Sequence, residues 1–216
     1  MDIRNKIYEF LARRFRPARW ARFKAAFPCS QWRTVIDFGG TSLNWEMIDD
    51  RYQVTLLNFN PDVPCGRYRL MVADGRNTGL ADSSFDLAFS NSVIEHLPTW
   101  EDQRRFAAEM ARVGNAVYCQ TPNFWFPIEP HYLTPFVHWI PGFTNNYWLV
   151  RYCTVTGWLV KPTRQACKEH LSSIRLLSLA DLRALFPDCE IWTERVLGLA
   201  KSFTAVRKPT PLSSGP

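Results

Sequence analysis

The sequence predicts an α/β fold: a seven-stranded, mostly parallel sheet with an antiparallel last strand, helices on both faces, and an aromatic-rich cap after the fifth strand. Three observations predict it. From residue 34 onward, short apolar runs alternate with helical patterns, which argues for parallel strands covered on both faces. Two runs near the end, CEIWTERVL and AKSFTAVR, are joined by a short turn at Gly198 with no helix between them, so the last strand runs antiparallel. Between the fifth strand and the last helix lies an aromatic stretch too long for an ordinary connection.

The elements follow in order. TVIDF at 34–38 is the first strand, and a helix is expected over 43–51 after a glycine turn. VTLLNF at 54–59 and YRLMVAD at 68–74 are the second and third strands, and FDLAFS at 85–90 is the fourth. FDLAFS alternates poorly, as a strand buried on both faces does. WEDQRRFAAEMARV at 100–113 is an amphipathic helix with Phe106, Met110 and Val113 on one side. NAVYCQTP at 115–122 is the fifth strand. Ser178 caps a helix striped by Leu179, Leu182, Leu185 and Phe186, and residues 189–207 hold the closing strand pair.

The 216 residues suit one domain over 1–208, with basic helices in 1–32, the cap in 122–170 and a disordered tail in 209–216. Residues 1–27 contain eight Lys/Arg against two Asp/Glu, so the net charge of +6 belongs to this terminus alone. A nucleic-acid binder would spread its cations along a groove, so no nucleic-acid partner is expected. Trp20, Phe23 and Phe27 make a helical stripe among Arg19, Arg22 and Lys24, which reads as a helix packed on the domain's flank. The alternative is peripheral contact of residues 1–27 with anionic lipid at the inner face of a membrane. Six dispersed cysteines, with no zinc-ligand spacing, point to a reduced cytoplasmic protein with no metal.

A sheet of this kind binds ligands outside the carboxyl ends of its strands. Those ends supply Asp37, Gly39 and Gly40; then Asn58; then Asp74 and Gly75; then Ser90, Asn91 and the Glu95-His96 pair. Glycine lets a backbone approach a ligand closely, and the following helix offers open N–H groups. DFGG, LLNFNP and ADGRNTGLADSSFDLAFSNSVIEHL together resemble the class I S-adenosylmethionine-dependent methyltransferases of the small-molecule, type 11-like kind, with a Rossmann-like sheet. The resemblance spans roughly residues 33–122 and 176–207. It implies S-adenosyl-L-methionine as cofactor, with Asp37, Gly39 and Gly40 against the methionine portion and Asn58 on the ribose. It also implies Asp74 and Gly75 at the adenine, Ser90 offering its carbonyl to the methionine amine, and His96 shaping the pocket. Thr41 and Leu43 stand where that family keeps glycine, and Asn58 where it keeps an acid. GGTSLN also fails the Gly-x-Gly-x-x-Gly pattern of a nicotinamide dehydrogenase.

The methyl acceptor is a matter for the cap. Residues 122–150 hold nine aromatics and one charged side chain, Glu129. Aromatic walls suit sugar rings, phenols or the apolar part of a lipid-linked molecule. The expected reaction is O-methylation of a small-molecule, sugar or lipid-linked acceptor. A hydroxyl needs a base as the bond forms, and His131, with Glu129 two residues away to orient it, is the candidate catalytic pair. The competing expectation is a degenerate domain that serves as a binding or membrane-associated module.

Overall fold

The computed structural model describes residues 17–31, 33–48, 51–129, 132–143, 146–170 and 174–208. Helix α1 covers described residues 17–26 and leads to β1 (Thr34–Phe38), α2 (Ser42–Trp45), β2 (Gln53–Asn58) and β3 (Arg69–Val72). β4 (Phe85–Asn91), α3 (Trp100–Val113) and β5 (Gly114–Pro122) follow. The cap holds β6 (Ile128–Glu129), β7 (Thr134–Pro135), α4 (Tyr147–Cys153), α5 (Val155–Val160) and α6 (Arg164–His170). Helix α7 (Leu179–Leu185), β8 (Glu190–Val196) and β9 (Leu199–Arg207) close the described chain.

The main sheet runs β3-β2-β1-β4-β5-β9-β8. Neighbours from β3 to β5 pair in parallel, while β9 pairs antiparallel with both β5 and β8. The seven-stranded sheet with one reversed strand is therefore as the sequence predicts. The hairpin between β8 and β9 turns through Leu197 and Gly198, both at positive φ, which matches the twist of two antiparallel strands.

Both faces of the sheet are covered. On one, α3 and α7 pack Phe106, Met110, Leu182 and Leu185 against Ile36, Phe38 and Ala88. Thr99 caps α3 by accepting from Asp102 N–H, and Ser178 with Asp181 forms a reciprocal capping box on α7. The other face is an aromatic core: Trp20, Phe23 and Phe27 lie on Trp45, Tyr52, Phe89 and Tyr118. Phe23 meets Phe89 edge-on at 5.4 Å and Tyr118 at 5.2 Å, the geometry that aromatic quadrupoles favour. The stripe of the basic terminus thus packs on the domain through residues 17–27, with Arg22 and Lys24 left exposed. Residues 1–16, on which the rest of the expected basic element falls, and the tail 209–216 lie outside the described residues.

Two elements depart from expectation. The helix expected over 43–51 is one turn, Ser42–Trp45. Beyond it Met47 and Ile48 donate to Asn44 and Trp45 in tighter three-residue bonds, which lets Trp45 and Ile48 bury on the same aromatic face. The third strand is shorter than expected because it lies at the sheet edge and its chain leaves at Ala73, whose N–H still reaches Asn58 O.

The cap leaves the carboxyl end of β5 and returns beside it, where Asn123 bridges Leu177. It has a core of its own in Tyr132, Val137, Phe143, Val150 and Cys167. Among the described residues no helix is long and apolar enough to cross a membrane.

Candidate functional site

The strand order reverses between β1 and β4, and the crevice above such a reversal is where open α/β sheets bind ligands. Asp37 sits at this point, paired with Leu56 of β2 on one side and Phe89 of β4 on the other. Its carboxylate is buried: Trp45 Nε1 donates to Oδ2 at 2.7 Å, while Oδ1 has no hydrogen-bond partner. Burial pushes its pKa from the ordinary carboxylate value up to about 8, opposed only in part by the Trp45 bond.

The two glycines after it are dictated by space. Gly39 has φ of +74°, and a Cβ there would overlap the side chain of Val93. A Cβ on Gly40 would overlap the Asp37 carboxyl. Asp37, Gly39 and Gly40 therefore form one unit, a tight turn folded onto a buried acid, and Thr41 and Leu43 lie beyond the part that needs glycine. An unpartnered buried oxygen beneath a glycine turn, half-buried at Gly39 and buried at Gly40, fits a ligand that carries a hydrogen-bond donor or a cation.

Asn58 ends β2 and does what an acid there could not do. Its Nδ2 donates to Gly40 O at 3.2 Å, while Oδ1 accepts from Asn60 N–H at 3.1 Å. The amide ties the second strand end to the glycine turn through one of its two N–H groups. Asp74 follows β3 and is gripped by Arg76, whose Nε and Nη2 reach its two oxygens at 2.9 and 2.7 Å. Arg76 also reaches Asp102 at 2.6 Å, and its hydrogen bonds hold Asp74 below the usual carboxylate range. Gly75 is fixed by packing, since a Cβ would press on Phe106 and Phe38 at 3.0 and 3.3 Å. Ser90 is buried and its hydroxyl donates to Phe38 O at 3.1 Å, which joins the ends of β4 and β1. These seven positions lie along the carboxyl edge of β1 to β4.

Glu95 and His96 part company. His96 is exposed at the end of a short 3-10 turn, whereas Glu95 is buried and accepts from Thr121 Oγ1 at 3.0 Å. In the cap, Glu129 is also buried and accepts from Tyr132 N–H at 2.9 Å. His131 lies outside the described residues.

Sequence reasoning missed Arg19. From α1 it spans the ends of three strands: Nη1 donates to Asn91 Oδ1 at 2.9 Å and to Gln120 Oε1 at 3.2 Å, and Nη2 meets Glu194 at 2.6 Å. Burial raises the Glu194 pKa, but Arg19, with Lys201 and Ser202 beside it, outweighs burial and holds the carboxylate below its ordinary range. Glu194 also accepts from Ser202 and faces Lys201 at 3.4 Å. One arginine among eight basic residues in the terminus carries no local mark of this role; only the fold brings together groups 175 positions apart.

A family model described as a methyltransferase domain matches residues 39–116. Two curated relatives, uncharacterised proteins from two strains of Mycobacterium tuberculosis, are each 34% identical over 56 residues; the match spans 26% of this chain and 19% of each relative. Among solved structures, one described as a putative zinc-dependent alcohol dehydrogenase of Rhodobacter sphaeroides has a TM-score of 0.59 at 16% identity, covering 83% of this chain and 84% of that one. An S-adenosylmethionine-dependent methyltransferase of Archaeoglobus fulgidus has a TM-score of 0.54 at 12% identity, covering 92% and 98%. The N-terminal domain of EvdMO1, determined with S-adenosylhomocysteine and D-fucose, has a TM-score of 0.54 at 16% identity, covering 89% and 82%. At these identities the solved structures establish the shared fold.

Proposed function

We propose, from the class I S-adenosylmethionine-dependent methyltransferase fold that this chain carries, that it binds S-adenosyl-L-methionine along the carboxyl edge of β1 to β4 and methylates a hydroxyl on a small-molecule or glycan acceptor. The observation that carries the reading is the glycine turn folded onto a buried acid at the strand-order reversal. When bound, the cofactor supplies a methyl group activated by a sulfonium.

The protein's own groups have separate tasks in this reading. Asp37, with its unpartnered Oδ1, receives the cationic amine of the methionine portion, and Gly39 and Gly40 let the backbone approach it. The remaining N–H of Asn58 holds a ribose hydroxyl. Asp74 accepts from the adenine amine while Arg76 fixes the rotamer of the carboxylate. Ser90 aligns β4 with β1, and its carbonyl is the second acceptor for the methionine amine. His96 borders the pocket from its rim.

The acceptor meets the cap. Trp125, Phe136 and Trp139 form an aromatic group just beyond the end of β5, with Trp125 and Trp139 6.1 Å apart and Phe136 and Trp139 5.2 Å apart. Phe124 O accepts from Trp139 Nε1 at 2.9 Å and lies 2.9 Å from His138 Nε2, so the ring of Trp139 is held in place. Such faces suit the apolar side of a sugar ring or a phenol, which supports a saccharide acceptor first and a phenolic metabolite second. His131 takes the hydroxyl proton, and Glu129, two residues away, orients it.

Two measurements test this. Calorimetric titration with S-adenosyl-L-methionine should give saturable binding, weakened by about 1.5–3 kcal/mol in Asp74→Ala; equal affinity of the variant would remove Asp74 from the adenine site. Mass spectrometry of glycans and small metabolites incubated with the protein and a deuterated methyl donor should reveal the acceptor. In that assay His131→Ala should lose roughly 10²-fold in turnover with cofactor affinity unchanged.

A further inference from the structure

The α4–α5 corner of the cap carries an apolar surface that the proposed reaction does not use. Trp148, Tyr152, Val155 and Trp158 are all exposed there, with Trp158 the most open at 68%. Trp148 and Tyr152 stack at 5.7 Å, one turn apart on α4. Trp158 Nε1 donates to Tyr152 O at 2.7 Å, so this indole has already satisfied its polar atom inside the protein. A ring so arranged gains nothing from water and can enter an apolar medium without stranding a donor.

Within residues 124–164 the exposed charge has one sign. Residues 124–164 contain a single acid, Glu129, and it is buried 1% exposed within its own turn. The cations are Arg151, packed over Tyr152 at 4.8 Å, Arg164, over Tyr147 at 5.6 Å, and the exposed Lys161. Aromatic side chains flanked by Arg and Lys, with no exposed carboxylate in residues 124–164, are complementary to a bilayer interface bearing anionic headgroups. A second copy of the same surface would set these cations against their own kind.

We infer that the α4–α5 corner docks on an anionic membrane surface, with Trp148, Tyr152 and Trp158 seated at the headgroup boundary and Arg151, Lys161 and Arg164 facing lipid phosphates. The inference does not depend on the reaction, since docking is read without turnover.

The test is sedimentation of the full chain with vesicles of phosphatidylcholine alone or mixed with phosphatidylglycerol. The protein should pellet with the mixed vesicles, and a rise from 0.1 M to about 1 M salt should release most of it, because the Debye length shrinks from roughly 10 to 3 Å. Trp148→Ala with Trp158→Ala, and separately Lys161→Gln with Arg164→Gln, should each lower partitioning by roughly tenfold. Their melting curves should match the parent, since the side chains removed are exposed. Failure of the parent to pellet with anionic vesicles overturns the inference. So does pelleting that survives both pairs of substitutions but is lost on deletion of residues 1–16, which would assign the contact to the basic terminus. Concentration-dependent dimerisation abolished by Trp148→Ala with Trp158→Ala, without vesicle binding, would show the corner to be a self-association surface instead.

Discussion

At the centre of the site Asp37 holds a carboxyl group that is buried on every side and has one oxygen without a partner. Its folded pKa, about 8, lies above the unfolded value near 3.8. Between these limits the folded state keeps a proton that the unfolded state has released, so stability falls as pH rises from about 4 to 8. The ligand-free protein should therefore melt at a lower temperature at pH 8 than at pH 5. Asp37→Asn should remove most of that difference and melt higher than the parent at pH 8, while losing cofactor affinity. Differential scanning fluorimetry across pH, with and without S-adenosyl-L-methionine, checks both halves. Gly40→Ala should destabilise by roughly 1–3 kcal/mol because its methyl group competes with the Asp37 carboxyl for one space. Asn58→Asp replaces a donor to Gly40 O with a second acceptor, so the turn should loosen and cofactor affinity fall.

Among the elements, α1 has the most consequence for the site. Its aromatic stripe was legible in sequence because burial repeats every third or fourth residue, and Trp20, Phe23 and Phe27 obey that period. Arg19 was not, since its partners come from β4, β5 and β8. Arg19→Ala should cost about 1–3 kcal/mol, by leaving Asn91, Gln120 and Glu194 short of donors in a half-buried place. That would lower Tm by roughly 2–4 °C per kcal/mol for a chain of this size. Arg19→Lys should recover less than half of it, because one ammonium cannot span three strand ends. The strands and α3 were equally readable, as apolar runs and a clean amphipathic period. The length of α2 was not, because burial of Trp45 and Ile48 on one face overrides the local pattern. Nor could any pattern show that Arg76 occupies Asp74, since Arg76 lies in a loop whose course is set by the fold.

For the whole molecule, a ligand that binds only the folded state stabilises it by mass action. S-adenosyl-L-methionine at one hundred times its Kd should add about 2.7 kcal/mol, roughly 5–10 °C in Tm, and NAD should add nothing. The solved structures share the sheet at low identity, which is what a scaffold defined by strand order and buried pattern permits. In this chain the segment after β5 supplies both an aromatic wall and the α4–α5 corner.

The Arg19–Glu194 pair also sets an order of events during synthesis. Its two partners are 175 residues apart, and Glu194 belongs to β8, which joins the sheet only through β9. On a ribosome the parallel strands β1 to β5 and the aromatic core beneath α1 can assemble long before β8 emerges. Until then Arg19 has Asn91 and Gln120 but lacks its counter-ion, and β5 is an open edge exposed to other nascent chains. Chains that stall or are cut ahead of β8 should accordingly aggregate through that edge, whereas loss of residues 209–216, which follow β9, should leave β5 covered by β9.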